Sequence, residues 1–409
     1  MRVLWYCNVI LPEVADAAGI SDKAHSAGWV EGFLLGLRKQ PDVTLGIICP
    51  WTEYREGEHD GFQYWLCSSE QYEKVLDQFK PDILHVFGTE NEESNKLVTL
   101  FNNPRRTVVN IQGMATLYAD VYTDNLPAKL QLRQRIFESF LRNGILDQRD
   151  KLRSRGEAES DTIKKVCHVI GRTDIDRMFA QNLNPDIQYH HCNEILRDNF
   201  YKGKQWNIEN IQRHSIVIRN TSNPIKGFYQ VIRAMPFILQ KFPDAHLYVV
   251  GNSYASPKNL KQKFTEGSYN RLVRKTVQRL GLADHITALG TLDAEQMEQL
   301  YLRAHVVVSA SIIENESNVV SEAKILGVPV VASYVGGLPN RIIHKYDGYL
   351  YPFNMPAMMA YYVSELFGDD NVAEQISKNA MKTQAEINDP SCNIATLVEI
   401  YKKISKIPE

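Results

Sequence analysis

Short apolar runs alternate with longer stretches of helical spacing along nearly the whole chain. The runs have the length of buried strands and are bounded by turn-forming residues, so they predict strands. The predicted strands cover residues 3–9, 44–48, 62–66, 83–87, 107–111, 167–170, 188–191, 215–219, 246–250, 286–289, 306–309, 328–333 and 349–351. The predicted helices cover residues 27–39, 69–79, 92–101, 227–241, 269–280, 294–304, 319–326, 357–367, 372–384 and 393–405, with one more beginning near Leu338. Such alternation predicts α/β architecture with doubly wound parallel sheets, which bind ligands at the carboxyl ends of their strands.

The length of the chain, 409 residues, exceeds what one ordinary core holds, so we predict two domains. The stretch 202–213 is polar and without pattern, and we interpret it as the hinge. The predicted division is therefore an N-terminal domain at 1–205, a C-terminal domain at 206–390 and a last helical segment at 391–409.

Composition narrows the class of protein. Hydrophobic residues make up 44% and charged residues 23% of the chain, as in soluble globular proteins, and a net charge of −2 does not favour nucleic acid as a partner. The six cysteines are scattered with no Cys-x-x-Cys pair, so we expect reduced core thiols rather than disulfides or a zinc site. The N-terminus lacks the organisation of a signal peptide, and no apolar run approaches the ~20 residues that span a bilayer, which predicts a cytoplasmic protein.

The stretch 306–333 carries the clearest candidate chemistry. A buried strand, a polar loop and a short helix are followed by Gly327, where a left-handed residue ends a helix, and by a second strand. Glu314 and Glu322 flank the loop with seven residues between them. If Asn318 is the N-cap, the N–H groups of residues 318–321 can bind an anion, and Glu322 can hold a hydroxyl beside it. The alternative is a surface connection with solvated glutamates, and Glu316 in the same loop has no assigned role.

A second group of polar residues lies at other strand ends. Arg219 and Lys226 flank the loop between a strand and a helix, and two cations there would clamp a diphosphate. In the first half, Asn8 and the stretches 85–89 and 110–113 end three strands and favour a cleft. Gly28 begins a helix and would let a ligand approach the backbone, but the Gly-x-Gly-x-x-Gly fingerprint of dinucleotide binding is missing.

Two further features have competing interpretations. Residues 120–160 form a basic amphipathic stretch that would contact an anionic membrane surface or pack as a solvated helix pair. In the Asp-x-Asp of residues 174–176, a capping box between Thr173 and Asp176 is preferred over a metal site.

With these residues assembled, the chain resembles the family 4 retaining glycosyltransferases of bacterial capsule, exopolysaccharide and O-antigen type. These have the GT-B fold, two Rossmann-like domains with an interdomain cleft. The motifs that carry the resemblance are Glu314 and Glu322 in the Glu–seven–Glu arrangement, the run 327–333, Gly336-Gly337 and Lys226-Gly227. The resemblance covers essentially the whole chain and is strongest over 215–351.

The resemblance implies roles for particular residues. Glu322 would bind the nucleotide ribose and Glu314 would lie near the donor sugar, while Lys226 and Arg219 would contact the diphosphate. For the Arg219 role, counting back from Lys226 points to Thr221 instead. The remaining residues matched to donor binding are Asn318, Val319, Val320, Gly28, Gln112, Gly251, Asn252, Gly290 and Thr291. Gln112 stands where many members have His, which excludes a proton relay there but not a hydrogen bond to the sugar.

The resulting expectation is a retaining hexosyltransferase that needs no metal or other cofactor. It would move a sugar from a nucleotide diphosphate, with UDP expected, to a glycan or polyprenyl-linked acceptor in surface polysaccharide biosynthesis. The C-terminal domain would hold the donor, the N-terminal domain the acceptor, closure of the cleft would exclude water, and the last helix would pack back on the N-terminal domain. The alternatives are a nucleotide-sugar epimerase or hydrolase of the same fold, and a catalytically silent glycan-binding protein.

Overall fold

The computed structural model describes residues 1–20, 28–132, 138, 144–219, 221–251 and 266–407. The chain divides into two compact units. The first comprises Met1–Thr116, Ser154–Asp198 and Ile387–Glu409, and the second comprises Leu117–Arg153 and Asn199–Glu386. The division differs from the predicted one because Leu117–Arg153, assigned by sequence to the N-terminal domain, belongs to the second unit.

The helices occupy most of the stretches between strands. The described helices are α1 (Pro12–Ala17), α2 (Gly28–Leu37), α3 (Tyr72–Phe79), α4 (Glu92–Phe101), α5 (Ala115–Val121), α6 (Ala128–Leu132), α7 (Ile145–Lys164), α8 (Asp174–Leu183), α9 (Phe228–Leu239), α10 (Ser268–Arg279), α11 (Ala294–Arg303), α12 (Asn318–Ile325), α13 (Pro356–Gly368), α14 (Asp370–Ile387) and α15 (Pro390–Ser405).

The first unit is built on an eight-stranded sheet. Its strands are β1 (Arg2–Cys7), β2 (Thr44–Pro50), β3 (Arg55–His59), β4 (Phe62–Cys67), β5 (Ile83–Phe87), β6 (Thr107–Asn110), β7 (His168–Gly171) and β8 (Gln188–His191). The strand order is β3-β4-β2-β1-β5-β6-β7-β8, and every pairing is parallel except that of β3 with β4. The central strands β1 and β5 are almost wholly apolar and buried, as a sheet covered on both faces requires.

The second unit contains a six-stranded sheet. Its strands are β9 (Ser215–Arg219), β10 (His246–Val250), β11 (Ile286–Gly290), β12 (Val306–Ser309), β13 (Val330–Ser333) and β14 (Tyr349–Tyr351). The order is β11-β10-β9-β12-β13-β14, with all pairings parallel. The prediction of two doubly wound parallel sheets is therefore confirmed.

Three local features differ from the predicted elements. Between the first predicted strand and the first predicted helix, the chain forms α1, which Pro12 starts at a position where a missing N–H costs nothing. The short strand β3, missed because Arg55–His59 is largely polar, forms an antiparallel hairpin with β4 through a turn in which Asp60 and Gly61 have positive φ. The helix expected from Leu338 is only a 3₁₀ turn, Leu338–Asn340.

The last helix, α15, is anchored in the core of the first unit through Tyr401. The Trp5 ring nitrogen donates to the Tyr401 hydroxyl at 2.9 Å, and His85 Nδ1 lies 2.6 Å from the same oxygen. All three side chains are fully buried. Their mutual hydrogen bonds offset the cost of burying these polar groups among apolar strands.

A buried acid lies beyond the end of β5 in the same unit. Glu159 of α7 is inaccessible to solvent, and the Thr89 hydroxyl donates to its Oε1 at 3.2 Å. Burial, reinforced by the negative charge of Glu90, raises the pKa of Glu159 from 4.5 to about 8. Glu159 is therefore protonated in the folded protein at neutral pH.

This raised pKa predicts how stability depends on pH. Between pH 4.5 and 8 the unfolded chain releases the Glu159 proton while the folded protein retains it, so stability falls as pH rises. Glu159→Gln keeps the shape of the acid and does not ionise, so it should raise the free energy of unfolding by on the order of 1 to 4 kcal/mol at pH 8 and by little at pH 4.5.

Urea denaturation at several pH values measures this difference. The matched control is Glu157→Gln on the exposed face of the same helix, which should leave the pH dependence as in the wild type. A Glu159→Gln profile parallel to the wild-type profile would show that Glu159 is ionised in the folded protein.

Candidate functional site

Strands β9 and β12 are adjacent in the second sheet, and the chain leaves them in opposite directions. They pair in parallel at Ile216 with Val306 and at Val217 with Val307, and β10 and β13 then lie on opposite sides of them. At such a reversal of strand order, the connections diverge and leave a crevice at the carboxyl ends. The cavity found there is lined by Ile218, Arg219, Lys226, Val308, Ser309, Ala310, Ser311, Glu314, Ser317 and Val319.

The turn that carries Lys226 packs directly on the loop after β12. Gly227 has φ of +70°, and a Cβ at this position would lie 1.8 Å from the Ala310 carbonyl oxygen, so only glycine fits. The N–H of Ile312 donates to the Ile225 carbonyl at 2.8 Å. The Lys226-Gly227 pair in the sequence therefore reflects a close approach of two backbones.

Lys226 and Glu314 form an ion pair in this crevice. The ammonium lies 3.0 and 2.8 Å from the two carboxylate oxygens, and the Ser311 hydroxyl donates to Oε2 at 2.8 Å. The backbone of Glu314 is fixed as well, because Gly337 N–H donates to its carbonyl at 2.9 Å. A Cβ on Gly336 would lie 1.9 Å from the same oxygen, which explains the glycine pair.

Arg219 and Glu322 form a second ion pair, with Nη1 2.7 Å from Oε2. The Glu322 side chain is only 6% exposed and that of Arg219 is 22% exposed, so one charge of the pair is held largely away from water. Burial lowers the pKa of Arg219, but nearby Tyr301 and Glu322 outweigh it and raise the pKa above its ordinary value. Thr221, the alternative from the spacing, is fully buried, and the cavity is lined by Arg219 instead.

The first turn of α12 lies at the same cavity and carries backbone N–H groups. The helix begins one residue earlier than the sequence predicted. The N-cap is Ser317, not Asn318, and the Ser317 carbonyl accepts from Val320 and Ser321 at 3.0 and 3.1 Å. The N–H groups of Asn318 and Val319 have no acceptor within the described part of the chain. The predicted anion site therefore consists of two helix amides rather than four.

Lys324, a residue the sequence did not single out, anchors α12 from its other side. Its ammonium is fully buried, lies 2.7 Å from Asp347 Oδ2 and also donates to the Arg341 carbonyl. Burial lowers the pKa of Lys324, and the neighbouring Asp347 carboxylate opposes that shift. A lysine within the otherwise apolar end of a helix was the available signal for such a buried pair.

Glu316 has a structural partner. Its carboxylate lies 2.9 Å from Nε of Arg341, and the two side chains are 1% and 3% exposed. The pair joins the loop after β12 to the segment after the Leu338–Asn340 turn. Of the three glutamates in this stretch, Glu314 pairs with Lys226 and Glu322 pairs with Arg219, two cations that line the cavity, whereas Glu316 is buried with Arg341.

The other predicted donor-site residues of the second unit lie at the ends of β10 and β11. Gly251 N–H donates to the Gly290 carbonyl at 2.8 Å, both glycines have positive φ, and Thr291 is exposed. The structure therefore brings Gly251 and Gly290 together. Asn252 lies outside the described residues.

Two predicted site residues belong to the first unit. A Cβ on Gly28 would lie 2.5 Å from the Arg197 side chain, so the space beside this glycine is occupied by Arg197. Gln112 is half-buried and donates to Asn110 Oδ1 at 3.0 Å. Beside it, and missed in the sequence, buried Arg172 donates to the Ile111 carbonyl at 2.8 Å and pairs with Glu194.

The Asp-x-Asp of residues 174–176 and the stretch 120–160 were the candidates for a metal site and a membrane contact. Asp176 accepts from Thr173 N–H at 3.2 Å, as the capping interpretation predicted. Among the described residues, no group of three or more His, Cys, Asp or Glu is arranged to hold a metal ion. In the same residues, no helix combines the length and apolarity needed to cross a bilayer. Within 120–160, Leu126 and Ile145 are buried, while Phe137, Phe140 and Leu141 lie outside the described residues.

The buried pair of Glu316 and Arg341 predicts a large stability effect. Arg341→Met leaves the Glu316 carboxylate buried without its cation, which should lower the free energy of unfolding by about 3–5 kcal/mol. Adding Glu316→Gln should recover much of this loss. Chemical denaturation measures both variants.

The matched control is Arg213→Met, which breaks an exposed ion pair with Asp370 in the same unit and should cost about 1 kcal/mol or less. If Arg341→Met were no more harmful than Arg213→Met, the carboxylate would be solvated and the pair would not be part of the core.

Comparison with known proteins adds two kinds of similarity. Residues 206–383 match the family of group 1 glycosyl transferases. The chain is 33% identical over 158 residues to an uncharacterised glycosyltransferase of Methanocaldococcus jannaschii, covering 38% of this chain and 36% of that protein. It is 27% identical over 256 residues to D-inositol 3-phosphate glycosyltransferase of Corynebacterium diphtheriae, covering 57% of each chain. These matches thus span about a third to just over half of the relatives' length.

Solved structures extend the similarity of fold to the whole chain. Sucrose-phosphate synthase from Thermosynechococcus elongatus superposes with a TM-score of 0.69 at 15% identity, covering 99% of both chains. HepE from Anabaena, in complex with UDP and glucose, superposes with a TM-score of 0.66 at 14% identity, covering 100% of both. The predicted GT-B fold is confirmed. Within a chain of this fold, residues 206–383 are the part that matches the group 1 glycosyl transferases.

Proposed function

We propose that the protein is a retaining hexosyltransferase that uses a uridine diphosphate sugar as donor. The observation that carries the proposal is the pair of cation–glutamate contacts, Lys226 with Glu314 and Arg219 with Glu322, at the strand-order reversal of the second sheet. The HepE structures contain UDP, UDP with glucose, or UDP-glucose, which supports uridine as the base.

The charges of the site suit a diphosphate ester. Two cations and two helix amides can compensate its negative charge, and two glutamates can accept hydrogen bonds from ribose and sugar hydroxyls. A bound donor would therefore replace both partners of each ion pair at once. We assign ribose binding to Glu322, sugar contact to Glu314 and diphosphate binding to Arg219, Lys226 and the amides of Asn318 and Val319.

The chemical step needs charge stabilisation more than a protein base. The bond between the anomeric carbon and the diphosphate oxygen breaks, the acceptor oxygen bonds to the same carbon on the same face, and the acceptor proton passes to the departing diphosphate. Arg219 and Lys226 would stabilise the charge that develops on that leaving group. Since no side chain has to remove the proton, Gln112 in place of a histidine is compatible with transfer. Because two cations would stabilise the leaving group, we propose that no metal is required.

We assign acceptor binding to the first unit and propose a saccharide or polyprenyl-linked saccharide as the acceptor, in the synthesis of surface polysaccharides at the cytoplasmic side of the membrane. Support for this assignment comes from the match of residues 206–383 to the group 1 glycosyl transferases. The polar strand ends of the first unit at Asn8 and Gln112, both half-buried, provide hydrogen-bonding groups suited to hydroxylated ligands.

Nucleotide binding and transfer test the proposal together. UDP and UDP-glucose should raise the melting temperature, since a ligand at 100 times its Kd stabilises by about 2.7 kcal/mol. Lys226→Met and Glu322→Gln should weaken that shift, and Lys226→Met should lower kcat/KM by on the order of 10²-fold. The control Lys378→Met, an exposed lysine of the same unit, should change neither.

The product distinguishes the alternatives. The sugar should be transferred with retained anomeric configuration, read by NMR. Product formed from donor alone would contradict transfer and indicate an epimerase or hydrolase, and tight nucleotide binding without turnover would indicate a silent binding protein. Full activity in Lys226→Met would refute the site assignment.

We also propose that the 120–160 segment contacts an anionic membrane surface. Because two of its apolar residues are buried, the contact would depend on its exposed cations, Lys129, Lys151, Arg153 and Arg155. The protein should sediment with anionic liposomes at low salt and be released at high salt. Absence of sedimentation at low salt would refute the contact.

A further inference from the structure

The segment Leu117–Arg153 interrupts the first unit in the sequence but belongs to the second unit in space. Tyr122 and Leu126 of this segment are buried. Further along, buried Glu138 accepts hydrogen bonds from the N–H and the hydroxyl of Ser268, at the start of α10. The segment is therefore fixed to the second unit at more than one place.

Its contact with the Lys226 turn is specific. The Asn125 side chain, 5% exposed, donates through Nδ2 to the Pro224 carbonyl at 3.1 Å. Gln230 of α9, also buried, donates through Nε2 to the Asn125 carbonyl at 3.4 Å. Asn125 thus links the turn before Lys226 to the first turn of the helix after it.

The turn itself, Pro224–Lys226, is a single 3₁₀ turn. Asn223 accepts from Ile225 N–H through Oδ1 at 3.2 Å and from Lys226 N–H through its carbonyl at 3.0 Å, and the Pro224 carbonyl accepts from Gly227 N–H at 3.1 Å. The Asn125 bond occupies the second lone pair of that Pro224 carbonyl. Together with the Ile312 bond to the Ile225 carbonyl, Asn125 therefore holds the backbone before Lys226 from outside the turn, although it lies about one hundred positions earlier in the chain.

We propose that Asn125 is a positioning residue for the donor site, holding the Pro224–Lys226 turn so that the Lys226 ammonium meets the donor diphosphate. This inference rests on the proposed function, because it assigns the purpose of Asn125 through Lys226. Asn125 is not among the residues that line the cavity, so it would act on the donor only through the turn.

The test measures UDP affinity by calorimetry on full-length protein, well below the melting temperature. Asn125→Leu keeps the number and branching of the side-chain heavy atoms and removes the donor, and should weaken UDP binding about three- to tenfold, the range for one hydrogen bond. Gln230→Leu, which removes the second contact, should act in the same direction and serves if the first variant does not fold. In the Lys226→Met background, Asn125→Leu should have almost no further effect, because both changes act through the same side chain.

The matched control is Asn393→Ala in the first unit. Asn393 is also 5% exposed and donates to two backbone carbonyls, of Glu194 at 3.3 Å and Ile387 at 3.0 Å. Its loss should lower the melting temperature without changing UDP affinity. A melting-temperature change alone in Asn125→Leu, or effects of Asn125→Leu and Lys226→Met that simply add, would overturn the positioning role.

UDP binding by the wild-type protein distinguishes failure of the proposed function from failure of the positioning role. If neither UDP nor UDP-glucose binds the wild type, the proposed function fails and the inference fails with it. If the wild type binds UDP and the Asn125 and Gln230 variants bind it equally well, only the inference fails.

Discussion

The divergence of the chain at β9 and β12 is the constraint on which the second unit depends. Parallel strands that are neighbours in the sheet but feed connections in opposite directions leave their carboxyl ends uncovered. Polar groups at those ends can remain reachable while the strands below them stay apolar, as the buried run of β12 shows. The cations, the glutamates and the first turn of α12 are thus brought together by topology rather than by closeness in sequence.

Charged residues serve two different purposes around this crevice. Lys324 with Asp347 and Glu316 with Arg341 are buried pairs that hold the helix and the loop in place. Lys226 and Arg219 keep 27% and 22% of their side chains exposed, so their charges remain accessible. Because buried pairs are costly to break, they fix the backbone, and the exposed partners of the other pairs can change their contacts without unfolding it.

Prediction from the sequence succeeded where the signal was local and periodic. The buried strands and Gly327 as a left-handed helix end follow from spacing and residue type, while the family resemblance placed Glu314 and Glu322 in one site with the two cations. It failed where the outcome depended on contacts distant in sequence. The register of α12 depends on the Ser317 carbonyl, and the membership of residues 117–153 depends on packing that no pattern within that stretch reveals.

The pairing of each cavity cation with a glutamate has a consequence for selectivity. An anion that offered only phosphate oxygens would have to separate Lys226 from Glu314 and Arg219 from Glu322, which removes the cation from each of two carboxylates in a partly buried crevice. A molecule with hydroxyl donors at the right distance from its phosphates leaves none. Under the proposed function, the crevice would therefore disfavour simple phosphate and accept ligands that join a phosphate chain to sugars.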